Sequence, residues 1–153
     1  MLLIRTKVLP SLIHGVGCFT CDAVKAGAAV WELNPVVDVA FSAAQILAMP
    51  KAFQLFLAQY ASKDRGLDRY VFCTDNARFF NHSAEPNLKH SANSSAEKIF
   101  AIKDIAPGEE LTVDYQFVDD PNEPGNVLTE IGLASGNSDE WDPRIKPSPA
   151  GAL

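Results

Sequence analysis

The densest run of reactive and hydrogen-bonding side chains is Arg78-Phe79-Phe80-Asn81-His82-Ser83-Ala84-Glu85-Pro86-Asn87. Two adjacent aromatics stand beside Arg, Asn, His, Ser and Glu, an order that suits neither an amphipathic helix nor a half-buried strand. Asn, His and Ser hold a backbone in an irregular path, so the run reads either as a polar loop that satisfies buried amides or as a binding site. Ser83 directly beside His82 is badly placed for nucleophilic catalysis, where the base must reach the hydroxyl from across a cleft. Cys18-Phe19-Thr20-Cys21 has C-x-x-C spacing, but only Cys73 and three histidines could complete a zinc site, and positions i and i+3 of a strand face opposite sides. No metal is expected there. A redox pair would want a helix N-terminus beneath its first thiol. His14 and His90 lie in polar surroundings and read as solvated.

Two further segments give the run its meaning. Gly15-Val16-Gly17 precedes it, and Gly108-Glu109-Glu110-Leu111-Thr112-Val113-Asp114-Tyr115 follows it. In that order the three resemble the motifs of the SET-domain family of protein-lysine methyltransferases: the early G-x-G turn, R-F-x-N-H-S-x-x-P-N, and G-E-E-L-T-x-D-Y. The resemblance covers residues 3–117. It implies small sheets around a C-terminal pseudoknot that brings the Asn-His run and the last tyrosine together. It also implies S-adenosylmethionine as cofactor, held by Gly15, Val16, Gly17, Arg78, Asn81, His82 and Tyr115, with a lysine of a basic protein or peptide entering from the opposite face. Tyr115 would be the catalytic residue at the junction. Glycine suits such a turn because a missing Cβ allows positive φ and close approach to a ligand.

The chain departs from the family pattern at two places. Ala84 stands where many members have cysteine, and no cysteine follows Cys73, so the zinc-binding segment that closes the lysine channel elsewhere is absent. Trp141 is similar to the tail aromatic that some relatives stack on the adenine. Either residues 119–153 fold over the site as a lid, or a second subunit, as in a homodimer, supplies the missing wall. Val113, two before the tyrosine, leaves the number of methyl groups transferred open. The other reading is a non-catalytic module on the same fold that binds peptide or cofactor.

The elements that must position these residues are short. Ten prolines and nine glycines are spread along 153 residues, which excludes a helical bundle. Residues 2–9 and 28–33 read as strands of a small antiparallel sheet, with Gly15-Val16-Gly17 and Lys25-Ala26-Gly27 as turns between them. Val37, Val39 and Phe41 alternate with Asp38 and Ala40 as in a half-buried strand. Ser42 with Gln45 forms a capping box, Pro50 ends or restarts the helix, and Phe53, Phe56, Leu57 and Tyr60 form a packing face. Residues 70–73, 98–102 and 110–115 are strand-like, the last two flanking the Ala106-Pro107-Gly108 turn and expected to pair or neighbour each other. The fold class is mostly β with short helices: a domain over 1–118, a variable region over 42–75, and a Pro- and Gly-rich tail over 119–153.

Thirteen basic against nineteen acidic residues leave a net charge of −6, which opposes nucleic-acid binding and favours a basic partner. Arg5, Lys7 and Pro10 break up the first apolar stretch, so no signal peptide or membrane span is expected. Three cysteines without an export signal suggest reduced thiols and a cytoplasmic protein, or a nuclear one in a eukaryotic source.

Overall fold

The computed structural model describes residues 1–64, 69–91 and 98–115. Strand β1 (Thr6–Pro10) and strand β2 (Val16–Thr20) form an antiparallel hairpin in which Thr6 faces Thr20 and Pro10 faces Val16. Its loop is organised by Ser11, whose Oγ accepts the N–H groups of Ile13 (2.9 Å) and His14 (3.4 Å), and closed by Ser11 N donating to Gly15 O (3.1 Å). Strand β3 (Ala29–Glu32) begins a second sheet.

The sheet expected to join residues 2–9 to 28–33 does not form. Those segments share only the isolated bridge between Leu2 and Trp31. Residues 16–20 take β1 instead, because a five-residue loop closes a hairpin at far lower entropic cost than a distant pairing. Two glycines beside Val16 make that strand read as a turn.

Next comes a unit with its own small core. Strand β4 (Val39–Phe41) leads into helix α1 (Ala43–Leu47) and helix α2 (Lys51–Tyr60), followed by strands β5 (Ala61–Asp64) and β6 (Arg69–Phe72) in the sheet order β4-β6-β5. The capping box is present: Gln45 N donates to Ser42 Oγ (3.2 Å) and Ser42 N to Gln45 Oε1 (2.8 Å). Pro50 stands at the N-terminus of α2, where its missing N–H has no intrahelical partner to lose. Ile46, Leu57 and Tyr70 are buried together, each aliphatic side chain contributing roughly 2 kcal/mol. The aromatic face is only partly a packing face. Leu57 is fully buried, whereas Phe53 is 43% and Phe56 37% exposed. Helix α2 packs against β6, the central strand of its sheet, with the Phe56 ring 5.5 Å from that of Phe72, and its Phe53 and Phe56 stack on each other with ring centroids 5.6 Å apart.

A 3₁₀ turn (Asn76–Phe79), capped by Asp75 Oδ1 accepting from Ala77 N (3.0 Å), opens the second half. Strand β7 (Asn81–His82) follows, then strands β8 (Leu88–His90) and β9 (Lys98–Ala101), which complete the sheet order β3-β9-β8. The Pro107-Gly108 turn forms as expected, with Gly108 at φ +82° and Glu109 N donating to Ala106 O (3.1 Å). Residues 98–102 and 110–115 do not pair. Strand β10 (Thr112–Val113) lies parallel to β7, while Thr20 N donates to Glu109 O (3.1 Å) and Leu111 N to Cys18 O (2.8 Å). The final segment is therefore laced between β2 and β7, the interlocking expected of the pseudoknot. The main core lies beneath this lacing, with Cys18, Val30, Leu88, Ile105 and Leu111 almost wholly excluded from water. Among the described residues no helix is long and apolar enough to cross a membrane.

Candidate active site

The hairpin loop and β7 meet at Asn81. Its Nδ2 donates to Val16 O (3.1 Å), His14 O (3.3 Å) and Glu110 Oε1 (2.7 Å). Three acceptors around one nitrogen decide which end of the amide is NH₂, since Oδ1 in that place would face only lone pairs. Gly15 takes φ +46°, where a side chain is disfavoured, and a Cβ there would meet nothing within 4 Å, so the turn opens onto free space. Gly17 is glycine for another reason: a Cβ would stand 2.1 Å from Glu110 Oε1 and 3.2 Å from Asn81 Nδ2.

Asn87 locks the run onto the last segment. Its Nδ2 donates to Glu110 O (2.7 Å), its Oδ1 accepts from Thr112 N (2.9 Å), and its own N–H donates to Thr112 Oγ1 (3.3 Å). Asn87 and Thr112 are buried, and Glu110 is half-buried. The two-residue strand pair β7·β10 would be marginal alone; this clamp supplies its register, which Ser83 N donating to Val113 O (3.0 Å) extends.

That register delivers Tyr115 to the junction. Its hydroxyl donates to Phe80 O (2.7 Å), its backbone N–H donates to His82 Nδ1 (3.2 Å), and its ring lies 5.4 Å from the imidazole. Accepting at Nδ1 puts the neutral imidazole's proton on Nε2. Asp114 Oδ1 lies 3.6 Å from the same Nδ1, ready to pair with it when the ring is protonated. Tyr115 is 45% exposed, so the phenol is fixed at both ends yet open to a ligand.

The candidate residues separate into two groups. Gly15, Val16, Gly17 and Asn81 share one hydrogen-bonded cradle, and His82 and Tyr115 stand together where β7 meets β10. Arg78 is directed elsewhere: its Nη1 donates to Thr74 O (2.7 Å) and Asp75 O (3.2 Å), and its guanidinium lies 4.6 Å from the Phe79 ring centroid. It braces the turn before β7. Trp141 and the tail over 119–153 lie outside the described residues. Cys18 is buried, which pushes its thiol up to about 12, so it is an inert core residue. No group of three metal-ligating side chains occurs among the described residues. His90 is a half-buried strand residue of β8.

Ser11, Asn87 and Glu110 are the residues that motif reading passed over. Ser11 Oγ donates to Glu110 Oε2 (2.9 Å), so Glu110 bridges the hairpin loop and Asn81. Nothing in the local sequence marks Ser11, because its partner is far along the chain; Asn87 and Glu110 stand inside the motifs but look like neighbours of the active positions.

A cationic amino-acid ligand fits this donor set. Asn81 is itself buried, and its Oδ1 accepts no hydrogen bond from the described residues. Two carbonyls and a carboxylate surround the amide, a field that attracts ammonium and sulfonium and repels anions. The α-ammonium of S-adenosylmethionine has the matching charge and donor character.

The family described as SET domain matches residues 15–116 of this chain. Human histone-lysine N-methyltransferase 2B is 31% identical over 126 residues, which are 72% of this chain and 4% of that protein. The mouse histone-lysine N-methyltransferase SETMAR is 38% identical over 80 residues, 49% of this chain and 23% of that protein. The chain thus spans less than a quarter of either curated relative. Among solved structures, a humanised mutant of the Chaetomium thermophilum Polycomb Repressive Complex 2 aligns with a TM-score of 0.58 at 19% identity, covering 79% of this chain and 16% of that one. A candidate histone methyltransferase of Plasmodium falciparum aligns with a TM-score of 0.55 at 16% identity, covering 73% of this chain and 93% of that one. At such identities the alignments speak for the fold.

Proposed function

The chain belongs to the SET-domain family, and from that premise we propose that it transfers a methyl group from S-adenosylmethionine to the side-chain amine of lysine in a protein substrate. The observation that carries the reading is the junction of β7 and β10, which places the Asn81 cradle close to Tyr115, itself held through its hydroxyl to Phe80 O and its backbone N–H to His82 Nδ1. S-adenosylmethionine supplies a methyl already activated on a sulfonium. Asn81, the backbone of Gly15, Val16 and Gly17, and His82 would hold the cofactor. Arg78 contributes by bracing the turn that sets the position of Phe80 and Asn81. A stacking role for Trp141, with the tail as lid or a second subunit as wall, belongs to the same proposal.

What remains for the protein is mostly alignment. A lysine amine with pKa about 10.4 costs roughly 4 to 5 kcal/mol to deprotonate at neutral pH. A neighbouring sulfonium and an apolar channel both lower that cost. Because the Tyr115 hydroxyl spends its proton on Phe80 O, its oxygen acts as acceptor toward the amine N–H, and Phe80 O lies beside it to help orient the nucleophile. The −6 net charge suits a lysine in a basic segment, and histones, the substrates in the relatives' names, are candidates of that kind.

Incubation with labelled S-adenosylmethionine and a mixture of basic proteins, followed by mass spectrometry, tests the reading. Methyl-lysine is expected from the wild type. Tyr115→Phe is expected still to bind cofactor and to lose most transfer. Cofactor binding without transfer by the wild type would leave the non-catalytic module as the function.

A further inference from the structure

Glu110 lies one layer behind the cradle, and its carboxylate is held at both oxygens: Oε2 accepts from Ser11 Oγ (2.9 Å) and Oε1 from Asn81 Nδ2 (2.7 Å). Its backbone is fixed as well, since Glu110 O accepts from Asn87 Nδ2 (2.7 Å) and Glu110 bridges to Phe19 of β2. The space for the carboxylate exists only because residue 17 lacks a Cβ, which would stand 2.1 Å from Oε1. A charged, doubly anchored acceptor reserved by a glycine is a specific arrangement for what would otherwise be one more polar contact.

The arrangement matters through the Asn81 amide. An amide can turn end for end at little steric cost, exchanging acceptor for donor at the open side of the cradle. All three acceptors oppose that turn, the carbonyls of His14 and Val16 at 3.3 and 3.1 Å less strongly than the carboxylate oxygen at 2.7 Å, which is the shortest contact and carries charge. Resting on the methyl-donor reading above, we propose that Glu110 is a positioning residue for the cofactor. It holds Asn81 with Oδ1 outward, so that the cradle takes a ligand carrying an α-ammonium and discriminates against one that lacks it.

The test uses the whole chain and two ligands that differ at one group: S-adenosylhomocysteine and its desamino analogue, in which hydrogen replaces the α-ammonium. Calorimetry on the wild type is expected to give tighter binding of S-adenosylhomocysteine. Glu110→Gln keeps the shape of residue 110 but can offer Asn81 either end of an amide. It is expected to lose about tenfold in affinity for S-adenosylhomocysteine and almost none for the desamino analogue. In the ligand-free protein, the Asn81 side-chain amide proton is expected downfield in the wild type and upfield of that position in Glu110→Gln. Ser11→Ala, which leaves the carboxylate with one anchor fewer, should show a smaller loss of the same ligand-selective kind and carries the test if Glu110→Gln does not fold. Equal weakening of both ligands, or an unmoved Asn81 signal, overturns the proposal and leaves Glu110 a structural residue. Wild-type protein that binds neither ligand overturns the donor reading, and this role with it, which is distinct from normal wild-type binding that Glu110→Gln leaves unchanged.

Discussion

Replacing Asn87 tests whether the site owes its geometry to a polar clamp. In Asn87→Ala, the part-buried Glu110 O loses its 2.7 Å donor and the buried Thr112 N–H loses its 2.9 Å acceptor. Each stranded group costs roughly 1 to 3 kcal/mol, so about 3 to 4 kcal/mol of stability should vanish. For a domain of this size about 4 °C of melting temperature goes with each kcal/mol, so the midpoint should drop by about 12 to 16 °C. Asn87→Asp sharpens the argument, because it is isosteric and keeps the acceptor for Thr112 N. Its second oxygen faces Glu110 O and lies near Glu109 Oε1, which is 3.3 Å from Nδ2 in the native protein, so an ionised aspartate there is repelled twice. We expect Asn87→Asp to be at least as unstable as Asn87→Ala at pH 7 and to regain part of the loss on acidification, when a protonated carboxyl can donate to Glu110 O. Thermal melts followed by circular dichroism between pH 4.5 and 8 give both numbers. A drop of under about 4 °C for Asn87→Ala, or an Asn87→Asp protein as stable as wild type at neutral pH, would refute the view that the clamp sets the β7·β10 register.

Three further outcomes follow from particular contacts. Gly17→Ala pushes a Cβ into the Glu110 carboxylate and should weaken S-adenosylhomocysteine binding about tenfold, while adding it to Glu110→Ala should cost clearly less, the 3.2 Å approach to Asn81 Nδ2 being what is left; additive losses in that double-mutant cycle would exclude the clash. Iodoacetamide at pH 8 should modify Cys21 well ahead of Cys18, whose burial raises its thiol to about 12, and peptide mapping that finds Cys18 alkylated in the folded protein would contradict its place in the core. Lys25 lies 2.6 Å from Asp104 and lowers its carboxyl below the ordinary 3.8. A lowered folded-state pKa stabilises above the ordinary value and is lost as pH falls through the folded one, so the pair's contribution should fade below about pH 4. Lys25→Met should flatten that part of the acid-denaturation curve, and an unchanged curve would show that solvent screens the pair completely.

Much of the local structure was legible because local physics decides it. Ser42 and Gln45 cap a helix wherever an apolar turn follows, and Pro107-Gly108 turns the chain by its own backbone preferences, whereas the half-buried strand read from Val37, Val39 and Phe41 pairs only over Val39–Phe41 and leaves Val39 exposed and Asp38 buried. Strand β2 was illegible for the opposite reason. Gly17 looks like a breaker until the side chain that needs its missing Cβ is seen to come from residue 110. The aromatic face of α2 has helical spacing, but spacing does not say how much of a face the fold covers, and Phe53 and Phe56 are only partly covered.

The sequence by itself determined the chemistry on offer: a glycine turn, an Asn-His run and a terminal tyrosine in an order specific enough to name a family, on a chain whose acidity suits a basic partner. Only the tertiary structure decided which of those groups act together. It drew Arg78 away to the carbonyls of Thr74 and Asp75, turned the Asn81 amide so that its nitrogen meets His14 O, Val16 O and Glu110, and brought Ser11, Asn87 and Glu110 into the site. The physical reason is that side-chain orientation depends on partners distant in sequence, Ser11 and Glu110 among them, which meet only when the last segment is laced between β2 and β7.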